Sequence, residues 1–400
     1  MDLNDTAEEK AFRASARAFL EAHAPAFGTR PVALDDPEMV RQAQNWQARK
    51  KDNGWACLTW PAEYGGRGLG PIEDVIWSQE EARWDTPPNL FIVGIGMLGP
   101  AIMAHGTLEQ KARYLPRIAR GDEIWCQLFS EPAAGSDLAG LRTTAVRDGD
   151  DWVLNGQKMW TTFARLSAWG VIVARTDRTV PKHAGLTCFI VNMRSPGIEV
   201  RPIRQIDGRS DFNEVFFTDC RVSESHRLGD VGNGWAVART ILMHERAAIG
   251  SVGARLDVPA LLAVAAACGV ADEGEVRQRI ADFYVRASGL TYTNYRTLTA
   301  LSRGEMPGPE ASIGKLVGAS LVQEMSAFGI DLQGLAGTLM SGLHECQATY
   351  LGAPGGRIAG GTDEILRNIL AERVLGLPAE PRLDKNVPFH DVPTGPRTRQ

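Results

Sequence analysis

Three regimes of hydrophobic periodicity follow one another along the chain. From Thr6 to Gly121 the apolar positions are mostly helical in spacing. Phe12, Ala16, Phe19 and Leu20 recur at i, i+4, i+7 and i+8 and so share one face. Thr107 predicts the N-cap of a later helix carrying Lys111 and Tyr114. Between them, Gly54–Gly70 reads as a loop rich in glycine and tryptophan. From Glu123 to Ser223 the texture changes to short runs of β-branched and aromatic residues: Trp169–Thr176, Leu186–Met193, Ile198–Ile203 and Asn213–Val222. Turn clusters separate them at Arg147–Asp151, Asp177–Gly185 and Ser195–Gly197. Helical periodicity returns over Trp235–Val252, Val276–Ser302, Ala311–Phe328 and Thr362–Leu375. This order predicts an α+β protein with an N-terminal helical domain over residues 1–122. A central antiparallel β sandwich or barrel over 123–229 precedes a C-terminal four-helix bundle over 230–380, with a polar tail over 381–400.

With 400 residues the chain exceeds one small core. Its 44% hydrophobic and 23% charged residues are ordinary for a globular protein, and a net charge of −5 gives no electrostatic case for nucleic acid. No apolar run reaches the ~18 residues that span a bilayer. The longest candidates, around Phe91–Ala104 and Val258–Ala271, predict buried helices. The opening Met1-Asp-Leu-Asn-Asp5 has no signal-peptide pattern, so a cytoplasmic protein with no membrane partner is expected. Six cysteines lie far apart without a CxxC pair, and seven histidines include no HExxH, so no metal site is expected.

Two stretches carry candidate chemistry. Gln127-Leu-Phe-Ser-Glu-Pro-Ala-Ala-Gly-Ser-Asp-Leu138 and Asn155-Gly-Gln-Lys-Met-Trp-Thr-Thr162 combine hydroxyls, glycines and a proline-fixed turn with an aromatic residue. They can offer N–H groups and hydroxyls to a flat, polar-edged ring while Trp160 covers its face. Gly94-Ile-Gly-Met-Leu-Gly99 matches the dinucleotide fingerprint, but no parallel strand series follows it, and small residues at this spacing also let helices approach closely. On the helix Trp235–Val252, Glu245 shares a face with Ile241, Leu242, Ala248 and Ile249. Burial of that carboxylate would raise its pKa above ~4.3, as a base for a weak carbon acid requires. The same placement suits a buried salt bridge with Arg246 or a neighbouring helix.

Taken in order, these motifs resemble the acyl-CoA dehydrogenases over residues 6–378. Gly106-Thr-Leu-Glu-Gln-Lys111 with Tyr114-Leu-Pro116 is similar to the family's N-domain signature. Ser130–Asp137 and Asn155–Trp160 are similar to its two middle-domain signatures, with Phe212–Phe217 and Gly232–Trp235 at the sheet exit and helix entry. Gly360–Ile365, Arg367–Ile369 and Glu372–Leu377 are similar to its C-terminal signature. The resemblance implies FAD, with Phe129 and Ser130 at the isoalloxazine edge, Trp160 against the ring and Thr162 near the reactive nitrogen. Thr362, with its flanking glycines and Glu364, would meet the pyrophosphate end. Ser136 would line the acyl-CoA channel.

Many family members carry the base just before the Gly-Thr of the C-terminal motif, where this chain has Gly360. A smaller group, similar to the isovaleryl-CoA dehydrogenases, carries it at the position of Glu245, the residue that the helical face also singles out. Arg246 would then orient the pantetheine or thioester end. The implied reaction is α,β-dehydrogenation of an acyl-CoA, possibly branched, cyclic or steroid-linked, with electrons passing to an electron-transfer flavoprotein. The Arg-x-x-Phe-Gly segment that reaches a neighbour's FAD is missing from Leu256–Glu275, and a Gly-Gly-x-Gly stretch survives only as Gly334-Leu-Ala-Gly337. Both departures resemble the sterol- and bile-acid-type branch, so a hetero-oligomer stands beside a homodimer or tetramer. A flavin-poor partner subunit and an acyl-CoA oxidase are the competing readings.

Overall fold

The computed structural model describes residues 5–27, 36–250, 256–303, 305, 308–339, 345–382 and 384–392. The side chains of 246–250, 301 and 302 lie outside the described set. The chain divides into two compact units. One holds Asp5–Gln205, Arg209–Ala248 and Glu380–Gln400; the other is built on Ile249–Ala379.

The first unit begins with helices α1 (Ala7–His23), α2 (Pro37–Asp52), α3 (Pro71–Glu81), α4 (Gly99–His105) and α5 (Leu108–Arg120). The predicted α1 stripe is inward: Ala16, Phe19 and Leu20 are buried and join Trp46, Trp55 and Trp77 in one aromatic cluster. Thr107 caps α5 through a capping box with Gln110, removing two free N–H groups at the helix start. The Gly94–Gly99 repeat lies in a π-helical turn leading into α4, not at a strand end. A Cβ at Gly99 would sit 2.2 Å from the Trp60 ring, so close packing accounts for its lack of a side chain.

A single sheet follows: β1 (Trp125–Leu128), β2 (Thr144–Asp148), β3 (Asp151–Thr162), β4 (Trp169–Arg175), β5 (Leu186–Asn192), β6 (Ile198–Ile203), β7 (Phe212–Ser223) and the short β8 (Arg227–Leu228). The order is β6-β7-β3-β2-β4-β5-β8. Most pairs are antiparallel, but β1 and β2 both pair parallel to β4, β1 at Trp125–Leu128 and β2 at Thr144 alone. Phe189, Val191, Leu154, Val215 and Ile172 pack into its apolar core. Within the polar segment after Pro381, Phe389 is buried, its N–H donates to the Val180 carbonyl at 2.9 Å, and Arg175 stacks on its ring.

The helix α6 (Gly234–Gly250) starts against β5. Cys188 Sγ donates to the Gly234 carbonyl at 3.4 Å, and a hydrogen bond of 2.9 Å links His105 Nε2 on α4 to Thr240 Oγ1. Val237, Ala238 and Ile241 are wholly buried beneath it.

The second unit is helical: α7 (Val258–Ala267), α8 (Gly274–Ser302), α9 (Ser312–Leu332), α10 (Glu345–Gly356) and α11 (Asp363–Arg373). Helix α9 touches the other four. Leu261, Phe283, Leu321, Met325 and Cys346 form its core.

Two glycines give opposite expectations. A Cβ at Gly234 would lie 2.6 Å from backbone atoms of Thr187, whereas one at Gly289, exposed inside α8, meets nothing within 4 Å. Gly234→Ala should lower the free energy of unfolding in urea by about 1–3 kcal/mol, and Gly289→Ala should raise it by about 1 kcal/mol.

Candidate active site

Strand parity selects the interior side chains of β3. Trp152, Leu154 and Lys158 fall on one face and are buried. A lysine in that series needs an anion, and Glu131 supplies it from the turn after β1: Lys158 Nζ lies 2.8 Å from Glu131 Oε1 and also donates to the Phe129 carbonyl at 3.0 Å. Glu131 further accepts the backbone N–H groups of Arg142 (2.6 Å) and Thr143 (3.0 Å). Burial alone would push the Glu131 carboxyl up; the Lys158 ammonium and these donors outweigh it and hold it below its ordinary value. Burial lowers the Lys158 ammonium against the pull of the same carboxylate. This pair fixes the Phe129–Glu131 turn, which the Met159 N–H tightens by donating to the Ser130 carbonyl at 2.8 Å.

Past Lys158 the β3–β7 register slips between Lys158 and Thr161. The bulge leaves Lys158 and Thr161 inward and turns Trp160 and Thr162 to the opposite face. Trp160 is 54% exposed and adopts φ 60°. A bulky residue in the left-handed region costs about 1–3 kcal/mol and persists only where the surrounding structure over-determines it. Its ring meets the edge of Phe212, with centroids 6.1 Å apart and planes at 80°. The indole is thus largely open, on the segment whose Met159 N–H bonds the Ser130 carbonyl and which leads into Thr162.

Glu245 joins this assembly through β1. Gln127 Nε2 donates to Glu245 Oε2 at 3.1 Å. Gln127 stands three residues before Ser130, so their Cα atoms are at most about 11 Å apart. The carboxylate continues the stripe of Val237 and Ile241 and is half-buried. The described contacts tie Glu245 to Gln127 on β1 and the Ser130 backbone to Met159, next to Trp160, all within one unit. Ser136 is exposed on the following loop. Lys182 braces that loop through Asp137 at 2.8 Å and Arg175 through the Leu141 carbonyl at 3.1 Å. The Arg246 side chain lies outside the described residues.

In the helical unit, Thr362 caps α11 by accepting the Ile365 N–H at 3.3 Å, and Gly360 and Gly361 have φ of 65° and 99°. Glu364 is exposed, while buried Asp363 pairs with Arg357 at 2.7 Å and Lys315 at 3.5 Å. A polar cleft of about 490 Å³ is lined by Ser320, Gln323, Glu324, Ala327, Tyr350 and Arg357. Among the described residues, no group of three or more His, Cys, Asp or Glu could hold a metal ion, and no helix is long and apolar enough to cross a membrane.

Sequence reasoning missed the roles of Lys158, Glu131 and Gln127. The parity of β3 was a usable signal for Lys158; nothing local points from Gln127 to a residue 118 positions away. Lys158→Met should destabilise the fold by about 3–5 kcal/mol at pH 7, because Glu131 is left charged and unpaired. Its carboxyl pKa must then rise, so the deficit against the native protein should shrink as the pH falls and Glu131 protonates. Urea unfolding of both proteins across the acid range checks the sign.

Known proteins resemble this chain over most of its length. Models of the acyl-CoA dehydrogenase N-terminal, middle and C-terminal domains match residues 6–122, 126–220 and 232–375. Acyl-CoA dehydrogenase IpdE1 of Mycobacterium tuberculosis is 39% identical over 355 residues, covering 86% of this chain and 90% of the relative. The solved steroid ACAD Tcur3481-Tcur3483 superposes with a TM-score of 0.80 at 29% identity, covering 95% of this chain and all of that one. The ChsE4-ChsE5 complex from Mycobacterium tuberculosis gives a TM-score of 0.77 at 29% identity over the same shares. With all three domains matched and a relative aligned over most of both lengths, the chain belongs to the acyl-CoA dehydrogenase family of FAD-dependent oxidoreductases.

Proposed function

We propose that this protein dehydrogenates a steroid-linked acyl-CoA thioester to its 2-enoyl product, with Glu245 as the base. The tether of Glu245 to β1, the strand that runs into Phe129 and Ser130 beside Trp160, carries this reading. The steroid class is supported by likeness to the steroid ACAD Tcur3481-Tcur3483. FAD fits the donor set: Ser130 and Thr162 offer hydroxyls, Phe129 its backbone, and the strained Trp160 an open indole face. Thr362 and Glu364 are proposed contacts for the same cofactor from the helical unit. FAD, when bound, supplies the acceptor for the β-hydrogen as hydride.

The chain's own residues do the rest. A Glu245 carboxylate oxygen takes the α-proton, the electron pair of that C–H bond becomes the new C=C bond, and Glu245 leaves the step protonated. Ser136, exposed on its braced loop, and Arg246 are proposed to guide the thioester end. Exclusion of water strengthens every polar contact to the thioester carbonyl as enolate character develops. Electrons then pass to an electron-transfer flavoprotein in the cytoplasm. The missing Arg-x-x-Phe-Gly segment and likeness to the ChsE4-ChsE5 complex favour assembly with a second, different family subunit. The proposed domain boundaries remain 1–122, 123–229 and 230–380, with 381–400 beyond.

Purified protein should be yellow, and its flavin should bleach on anaerobic titration with a steroid-linked CoA thioester. Glu245→Gln should keep its FAD and reduce it at least about a hundredfold more slowly. Colourless native protein would point to a flavin-poor subunit. Peroxide formed under air without another acceptor would point to an oxidase. Bleaching of Glu245→Gln at the native rate would remove the assignment of the base.

A further inference from the structure

The bond between Gln127 and Glu245 joins two elements that are each fixed independently. Gln127 sits in the parallel ladder opposite Val171, between the wholly buried Cys126 and Leu128, so its backbone has little freedom. Helix α6 is held at Gly234 by Cys188 and at Thr240 by His105, six residues apart on the helix. The 3.1 Å contact from the amide to Glu245 Oε2 closes the third point. Resting on the reading of Glu245 as the base, we propose that Gln127 is a positioning residue for it. Its amide anchors Oε2 to β1 and so helps orient the carboxylate toward the substrate's α-proton.

The identity of the donor suits that task. A carboxylate that must accept a proton needs an orienting partner that does not suppress its basicity. A lysine or arginine at the same distance would favour the charged form by roughly one to three pKa units and weaken the base. A neutral amide fixes the rotamer with a smaller electrostatic effect. Gln127 also lies two residues before Phe129 on one continuous stretch of chain. The orientation of the base and the position of the proposed flavin edge are therefore set by the same strand, which keeps proton and hydride acceptors in register. Helix α6 also carries Arg239, His244 and Arg246, the last with its side chain outside the described residues, and His105 meets the helix from α4; burial pushes both histidines below the ordinary value.

Two variants test the role in the holoenzyme. Gln127→Leu keeps the approximate volume and removes the donor; Gln127→Glu keeps the shape and places a carboxylate against Glu245. For Gln127→Leu, kcat for flavin reduction should fall about ten- to a hundredfold with little change in KM. Loss of the donor disfavours the charged carboxylate, so the acid limb of kcat/KM should move up by about one pH unit, and further in Gln127→Glu. FAD content and melting temperature should stay close to native in at least one variant. A readout free of turnover comes from flavin-free protein labelled with ¹³C at the glutamate carboxyls. The resonance absent from Glu245→Gln should titrate at higher pH in Gln127→Leu. An unmoved acid limb and an unmoved resonance in both variants, with Glu245→Gln still inactive, would overturn the role of Gln127 alone. Full flavin reduction by Glu245→Gln would overturn the base and this inference together.

Discussion

A lysine ammonium buried inside a β-sheet is expensive, since an ion taken out of water costs several kcal/mol even after relaxation. The chain meets that cost at Lys158 by bringing Glu131 and the Phe129 carbonyl to it from a segment 27 to 29 residues earlier. Glu131 then has acceptor capacity left, and the N–H groups of Arg142 and Thr143 use it. One ion pair therefore ties β3 to both ends of the loop that presents Ser130 and Ser136. The pair adds little net stability over an apolar replacement of both partners. What it supplies is a unique register, because the ammonium can be satisfied only when the Phe129–Glu131 turn is in place.

Around that constraint the site is assembled from two unlike materials. The loop is braced at several points, by Lys158 and the Arg142 and Thr143 N–H groups at Glu131, by Lys182 at Asp137 and by Arg175 at the Leu141 carbonyl. The end of β3 is strained: the bulge after Lys158 forces Trp160 into a left-handed conformation and an exposed position. Strain survives where surrounding structure over-determines it, and the paired strand β7 on one side and the Ser130–Met159 bond on the other do so here. Helix α6 carries Glu245, the proposed base, on its apolar stripe, so that a carboxylate projects from a face otherwise devoted to packing.

The sequence disclosed what is periodic. The runs predicted from Trp169 onward start and stop within about four residues of the observed elements, because β-branched runs and the α6 stripe are local signals; the predicted end at Val252 lies outside the described residues, and β8 and α10 were not anticipated. Thr107 as a cap was legible for the same reason. The bulge was not, since a slip in register depends on the partner strand, and with it went the outward turn of Trp160. The parallel pairing of β1 with β4 was also hidden, because a four-residue apolar run does not state its partner. Glu245 could be singled out from its neighbours at i±3 and i±4, but its tether to Gln127 spans 118 residues and has no local signature. The Gly94–Gly99 repeat shows the converse: a pattern with two physical causes, resolved by the Trp60 ring lying against Gly99.

The docking of Phe389 under Arg175 has a temporal side. Lys182 and Asp384, which meet beside that ring, are 202 residues apart. During synthesis the β4–β5 edge must emerge and wait for the whole helical unit before its last covering segment exists. Closing so distant a contact is slow and leaves apolar surface bare in the interim. A nascent chain stalled before residue 384 would hold a sheet with an unsealed margin, a natural target for chaperones.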